Sequence, residues 1–189
     1  MELKNLKTSF LGKNIIEFES LDSTQKYAKK LSEKQNGLLI IADYQTKGIG
    51  THDRIWYTGK GKNIAMTFIL EPKCKVSKLT RLTVIIAECM IKAIDNIYNI
   101  KLQIKEPNDI MINNKKIGGI LTEATLEGEI AKTLYIGIGF NVNQEEFPVE
   151  LENIASSLKK ETKNTYIRED IISEFLNIFE SEYLKIINN

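Results

Sequence analysis

Residues 101–142 read KLQIKEPNDIMINNKKIGGILTEATLEGEIAKTLYIGIGFNV, and their pattern decides the fold class. Short β segments follow one another at 101–105, 109–113, 116–124 and 131–142, with no helical spacing between them. Asn113-Asn114-Lys115 suits a tight hairpin turn, because Asn tolerates left-handed backbone angles. Upstream, Leu79, Leu82, Ile85, Ile86, Cys89, Met90, Ala93, Ile94 and Ile97 recur at steps of three and four, which predicts a helix beginning at Ser77. Further back, GLLIIADYQ (37–45) and IAMTFIL (64–70) read as strands. Ser23 or Asp22 caps a helix ending near Asn36-Gly37, and a last helix is expected from about Tyr166 to Ile187. Helices separated by a run of hairpin-joined strands do not alternate as a doubly wound fold would. The expected class is α+β, with a mixed, mostly antiparallel central sheet flanked by helices.

Composition narrows the function. The chain has 189 residues, 42% hydrophobic and 27% charged, enough for one sizeable core. Twenty-six Lys+Arg against twenty-five Asp+Glu leave no global field to draw nucleic acid or a membrane surface. Two cysteines and one histidine cannot assemble a His/Cys metal cluster. No apolar run has signal-peptide or membrane-spanning length, so the expectation is a cytoplasmic, soluble protein.

Three stretches carry chemistry. In QTKGIGTHDRIWYTGKGKN (45–63), Lys47, Arg54, Lys60 and Lys62 face only Asp53, and glycines at 48, 50, 59 and 61 let backbone N–H groups approach an anion. A GxG alone reads as a solvated surface loop. Trp56, the only tryptophan, argues that this one packs on something. In 104–121, Asn108 and Asp109 follow Pro107 beside the sheet; Asp109 either helps to hold a magnesium ion or caps a turn. Lys116 precedes Gly118-Gly119, a pair that is costly in a strand unless something lies flat against it; alone, Lys116 is an ordinary hairpin lysine. In YIGIGFNVN (135–143), Gly137 and Gly139 fall on one face and strip it to a slot, unless a bulge or close helix packing explains them.

Taken together and in order, these stretches resemble the biotin protein ligases, relatives of the lipoate ligases with a class II aminoacyl-tRNA synthetase-like fold. The family's Ser-Thr-Asn segment stands as Ser23-Thr24-Gln25, and its Gln-Thr-x-Gly-x-Gly…Arg-x-Trp loop as residues 45–56. Its Lys-Trp-Pro-Asn-Asp segment stands as 105–109, its Lys-x-Gly-Gly-Ile-Leu as 116–121, and its Gly-x-Gly-x-Asn as 137–141.

The resemblance implies roles. Ser23, Thr24 and Gln25 would line the biotin ring site, floored by Gly119 and Gly137. Gln45, Gly48, Ile49, Gly50 and Thr51 would close over biotin and the adenylate. Thr51, His52, Arg54, Trp56, Asn108 and Asn141 would meet ATP or the adenylate, with residues 144–154 beside the adenine. Lys116 would bind the carboxylate and α-phosphate oxygens and, with Arg54, act catalytically. The implied substrates are biotin and ATP with Mg²⁺; the implied partner is the biotin carboxyl carrier domain of a carboxylase. An exposed sheet edge is open to a homodimer.

The chain departs from the pattern at Gln25, Glu106 and Asp53, and it lacks two loop arginines. The expectation is one catalytic domain over 1–189, with no winged helix before it and no β-barrel after it. The rival readings are a lipoate or octanoate ligase or transferase, and a non-catalytic biotin- or nucleotide-binding module.

Overall fold

Two hairpins build the middle of the sheet in a computed structural model that describes residues 2–188, the side chain of Asp53 excepted. Strands β6 (Asp109–Ile112) and β7 (Lys115–Glu127) are joined by Asn113 and Asn114, both left-handed (φ 48° and 62°), as the turn reading required. β7 and β8 (Ile130–Phe140) form the longest ladder, turning at Gly128 (φ 58°). Outward from β8 lie β3 (Ile64–Leu70), β2 (Leu39–Ala42) and β1 (Ile15–Phe18); outward from β6 lies β5 (Gln103–Lys105). The short β4 (Cys74–Lys75) pairs with the start of β8. Among the described strands only β1 and β2 run parallel, so the sheet is mixed and mostly antiparallel, as expected.

Alternation along the strands assigns the two faces. Ile64, Met66, Phe68 and Leu70 of β3, with Leu134, Ile136, Ile138 and Phe140 of β8, point into the main core. That face is covered by α2 (Leu82–Tyr98) and α4 (Arg168–Asn188), whose Phe175 and Phe179 pack on Phe68. On the opposite face α1 (Thr24–Lys30) covers only part, packing Ala28 against Ile40, Ile69 and Tyr135. The uncovered remainder of that face is where the site lies.

Element ends differ from the sequence reading for local reasons. Ser23 caps α1 through its side chain, but α1 stops at Lys30. Residues 76–79 form a separate 3₁₀ turn, and α2 starts at Leu82, ending at a left-handed Asn99 (φ 53°). The short α3 (Leu158–Thr162), capped by Ser157, and the edge strand β1 went unread, being too short for a periodic signal.

The chain's two ends are joined by one carboxylate. Glu180 of α4, 6% exposed, accepts hydrogen bonds from the backbone N–H groups of Ser9, Phe10 and Leu11 and from the Ser9 hydroxyl. Beside it, Asn177 takes the Lys7 N–H and donates to the Asn5 carbonyl.

Candidate active site

A row of small residues crosses the open face. Ala65, Gly139, Gly119 and Asp109 are successive cross-strand neighbours on β3, β8, β7 and β6, and Thr67, Gly137 and Leu121 form the next row. The slot expected from Gly137 and Gly139 exists, but protein side chains occupy part of it. Trp56 lies on Gly139 so closely that a Cβ there would sit 2.2 Å from the indole Cε2; at Gly119 it would sit 3.1 Å from the ring. Gln25 covers Gly137, its Oε1 2.8 Å from a Cβ built there.

Lys116 reaches this face because of a bulge. Residues 116 and 119 are three apart, so strict alternation would put them on opposite sides. The pairing Ile110↔Gly118 followed by Met111↔Lys116 leaves Ile117 extra; Ile117 and Gly118 both turn to the core. The Lys116 chain then lies over Gly119, its Nζ 3.3 Å from a Cβ built there. Its backbone is held by residues 154–156: Lys116 N–H donates to Ile154 and the Lys116 carbonyl accepts from Ser156 N–H, both at 2.9 Å. The ammonium is 2.6 Å from Asp109 Oδ1 and 5.5 Å from the Trp56 ring centroid.

Two cavities meet at this lysine. The smaller is lined by Ser23, Thr24, Gln25, Gln45, Asn108 and Gly137, with Met66 and Thr67 beneath. The larger, of about 1180 Å³ and open to solvent, is bounded by Arg54, Tyr57, Asp109, Asn141, Phe147 and Ile154. Gly50, Thr51, Trp56 and Lys116 line both. Ile49 and Gly119 belong to the smaller one.

The loop that separates them from solvent has its own pairing. Trp56 N–H donates to Gly48 at 2.9 Å and Gly50 N–H to Arg54 at 2.7 Å, with Ile49 bridged to Ile55. Gly48 is buried beneath this pairing, where a Cβ would meet the Trp56 carbonyl at 2.5 Å. At the loop's end, Gly59 N–H donates to Gln144 Oε1 at 3.0 Å, and Asn63 Nδ2 donates to the same oxygen. Arg168 Nη1 ties the base of the loop by an ion pair to Asp43 and a bond to the Asn63 carbonyl.

Most expected residues converge; some do not. His52 stands exposed at the loop tip with φ 56° and lines neither cavity. Asn108, expected with ATP, lines the smaller cavity instead and donates to the Ile120 carbonyl. Trp56, expected on the adenine side, sits between the compartments. Asp109 is engaged by Lys116, and no three His, Cys, Asp or Glu side chains gather to hold a metal ion among the described residues. Magnesium therefore finds no protein cage among the described residues. Thr67 was missed, although a Thr inside IAMTFIL was a readable signal. Trp56 Nε1 and Asn141 Oδ1, both buried, have no hydrogen-bond partner.

The polar floor has a definite sense. Gln45 Oε1 accepts from both the N–H (2.9 Å) and the hydroxyl (3.1 Å) of Thr24, so its Nε2 faces the other way, with one long 3.5 Å contact to Thr58. Thr67 Oγ1 lies 2.9 Å from Thr24 Oγ1 and 3.1 Å from Gln25 Oε1. Its single hydrogen serves one of the two, so acceptor capacity remains beside the Gln45 donor.

A mixed sheet with a half-covered face, a glycine-backed slot and a lysine between two compartments is the architecture of a ligand-enclosing α+β domain. The chain belongs to the biotin/lipoate A/B protein ligase family, whose model matches residues 17–141. It is 39% identical over 182 residues to the bifunctional ligase/repressor BirA of Bacillus subtilis, covering 94% of this chain and 56% of that protein. It is 30% identical over 172 residues to the biotin–protein ligase of Homo sapiens, covering 85% and 23% respectively. Among solved structures, the biotin protein ligase of Aquifex aeolicus in complex with biotin and ATP superposes with a TM-score of 0.78 at 32% identity, covering 92% of this chain and 71% of that one. The chain thus spans about half the length of its Bacillus relative. No helix among the described residues is long and apolar enough to cross a membrane.

Proposed function

We propose that this chain is an ATP-dependent biotin protein ligase catalytic domain. The observation that carries the reading is Lys116, which lines both cavities at once. An acid held in the smaller cavity and a nucleotide in the larger would meet at its ammonium. In the first step a biotin carboxylate oxygen forms a bond to the α-phosphorus of MgATP, and the bond to pyrophosphate breaks. Lys116 offsets the negative charge crowded there, the largest kind of catalytic contribution open to a site without a nucleophile. In the second step the neutral amine of a lysine on a carboxylase's biotin carboxyl carrier domain attacks the acyl carbon. AMP leaves and the amine proton passes to solvent. The chain contributes alignment, charge and the exclusion of water by the Trp56 loop. Magnesium enters as part of the nucleotide substrate.

The floor of the smaller cavity favours biotin over lipoate. Gln45 offers an N–H, while Thr24, Thr67 and Gln25 offer acceptor oxygen, and all four residues are buried. A cyclic urea pairs with both kinds of group. A dithiolane pairs with neither and would leave buried polar groups unsatisfied. Mixing the protein with biotin and ATP should release pyrophosphate and form biotinyl-5′-AMP, whereas lipoate should support neither. Release with lipoate alone would transfer the assignment to a lipoate ligase. Binding of biotin without pyrophosphate release would leave a binding module.

A further inference from the structure

We infer that Glu123 is a positioning residue for the biotin pocket, fixing which end of the Gln25 amide faces the ligand. The inference rests on the biotin reading of the smaller cavity. A primary amide has two ends of nearly equal shape, so its sense is set by its neighbours. Gln25 Nε2 donates to Glu123 Oε2 at 2.9 Å and to the Tyr135 carbonyl at 3.1 Å, and both partners accept only. Turning the amide over would press its oxygen against a carboxylate and a carbonyl. With the nitrogen committed to β7 and β8, Oε1 must face Gly137 and Thr67.

The clamp is completed from the helix itself. Lys29 stands one turn beyond Gln25 on the same side of α1, and its Nζ is 2.9 Å from the other carboxylate oxygen, Oε1 of Glu123. One carboxylate thus takes both side chains of the helix. Burial alone would raise the Glu123 pKa, but the hydrogen bonds from Lys29 and Gln25 outweigh it and hold the group below its ordinary value, so it stays an ionised acceptor. Gly137 supplies the room that this arrangement needs, since any Cβ there would collide with the Gln25 oxygen.

Glu123 does not line the cavity, so it acts only through Gln25. Glu123→Gln is nearly isosteric, but its amide can donate to a turned-over Gln25, leaving only the Tyr135 carbonyl to oppose that state. In steady-state pyrophosphate release and in calorimetry, this variant should raise the KM and Kd for biotin about tenfold, the scale of one mispaired buried group. The KM for ATP and the kcat at saturating biotin should stay within about twofold of wild type, because the phosphate side is untouched. Lys29→Ala keeps the carboxylate and should weaken biotin by less than Glu123→Gln does. If the Glu123 clamp merely pins α1 to the sheet, both variants will lose melting temperature alike while the biotin KM stays put, and the inference falls. Wild-type binding of biotin with unchanged affinity in Glu123→Gln overturns the inference alone. No heat from the wild-type protein with biotin overturns the reading of the site, and this inference with it.

Discussion

Gly118 and Gly119 are neighbours in β7, yet they answer to different parts of the molecule. A Cβ on Gly118 would strike Phe140 at 2.7 Å and Ile110 at 3.2 Å, inside the main core. A Cβ on Gly119 would meet Trp56 and the Lys116 chain, inside the site. The two faces of one sheet therefore use the same residue for opposite ends. On the core face glycine admits a large ring, and burial stabilises the fold. On the open face glycine keeps a surface bare for groups whose partners come from outside. The unpaired Trp56 Nε1 and Asn141 Oδ1 belong to that side.

The sharpest test of this division is Lys116→Ala. It should reduce adenylate formation about a hundredfold, on the order of 3 kcal/mol of transition-state energy, while melting changes little. Near-normal pyrophosphate release would remove the lysine from the mechanism. Next come the paired glycines. Gly119→Val should weaken biotin about tenfold or more by displacing Trp56 and Lys116, whereas Gly118→Ala should cost about 1–3 kcal/mol of stability through overpacking, with biotin affinity unchanged. Denaturant titration and calorimetry on both variants separate these outcomes; the reverse pattern would exchange the two faces.

The third test lies on the core side. Burial would raise the Glu180 pKa, but the N–H groups of Ser9, Leu11 and Phe10 and the Ser9 hydroxyl outweigh it and hold it below the ordinary carboxylate value. The sign follows from that direction. Stability from this group is full above the unfolded pKa of about 4.3 and is lost as pH falls through the lower folded value. Glu180→Gln should remove about 1–2 kcal/mol at pH 7 and flatten the acid limb of the stability curve, with no change in biotin affinity. An unaltered acid limb would show that the clamp contributes nothing. The smallest effect concerns the loop from Thr46 to Lys62. It has little apolar surface besides Trp56, and we expect hydrogen exchange there to slow a few-fold with biotin and further with a non-hydrolysable biotinyl-adenylate analogue. Equal protection without ligand would mean that the loop is preformed.

How far the residues could be read in advance depended on range. Local signals sufficed for the Asn113-Asn114 turn and for Gly137 and Gly139, two apart and therefore on one face. The Lys-x-Gly-Gly motif pointed to the site, yet its spacing has the wrong parity, and only the bulge at Ile117 reconciles Lys116 with Gly119. Thr67 was hidden inside an apolar strand, and Gln144, which joins the loop's end at Gly59 to residues far along the chain, had no local signature. His52, placed with the adenylate by the resemblance, lies exposed because the loop's own pairing turns its tip outward. Side chains that act across a hundred residues leave no period to detect.

The Glu180 clamp has a consequence for the order of events during synthesis. The segment from Ser9 to Leu11 leaves the ribosome well before α4, since the carboxylate that satisfies its N–H groups comes about 170 residues later. Leu11, fully buried in the main core with its N–H on Glu180, must likewise wait. At typical synthesis rates of about 5–20 residues per second, that delay is on the order of ten seconds or more. A nascent chain arrested before α4 should therefore leave residues 9–11 open to protease, whatever the central hairpins have already formed. Residues 9–11 are among the last to find their place.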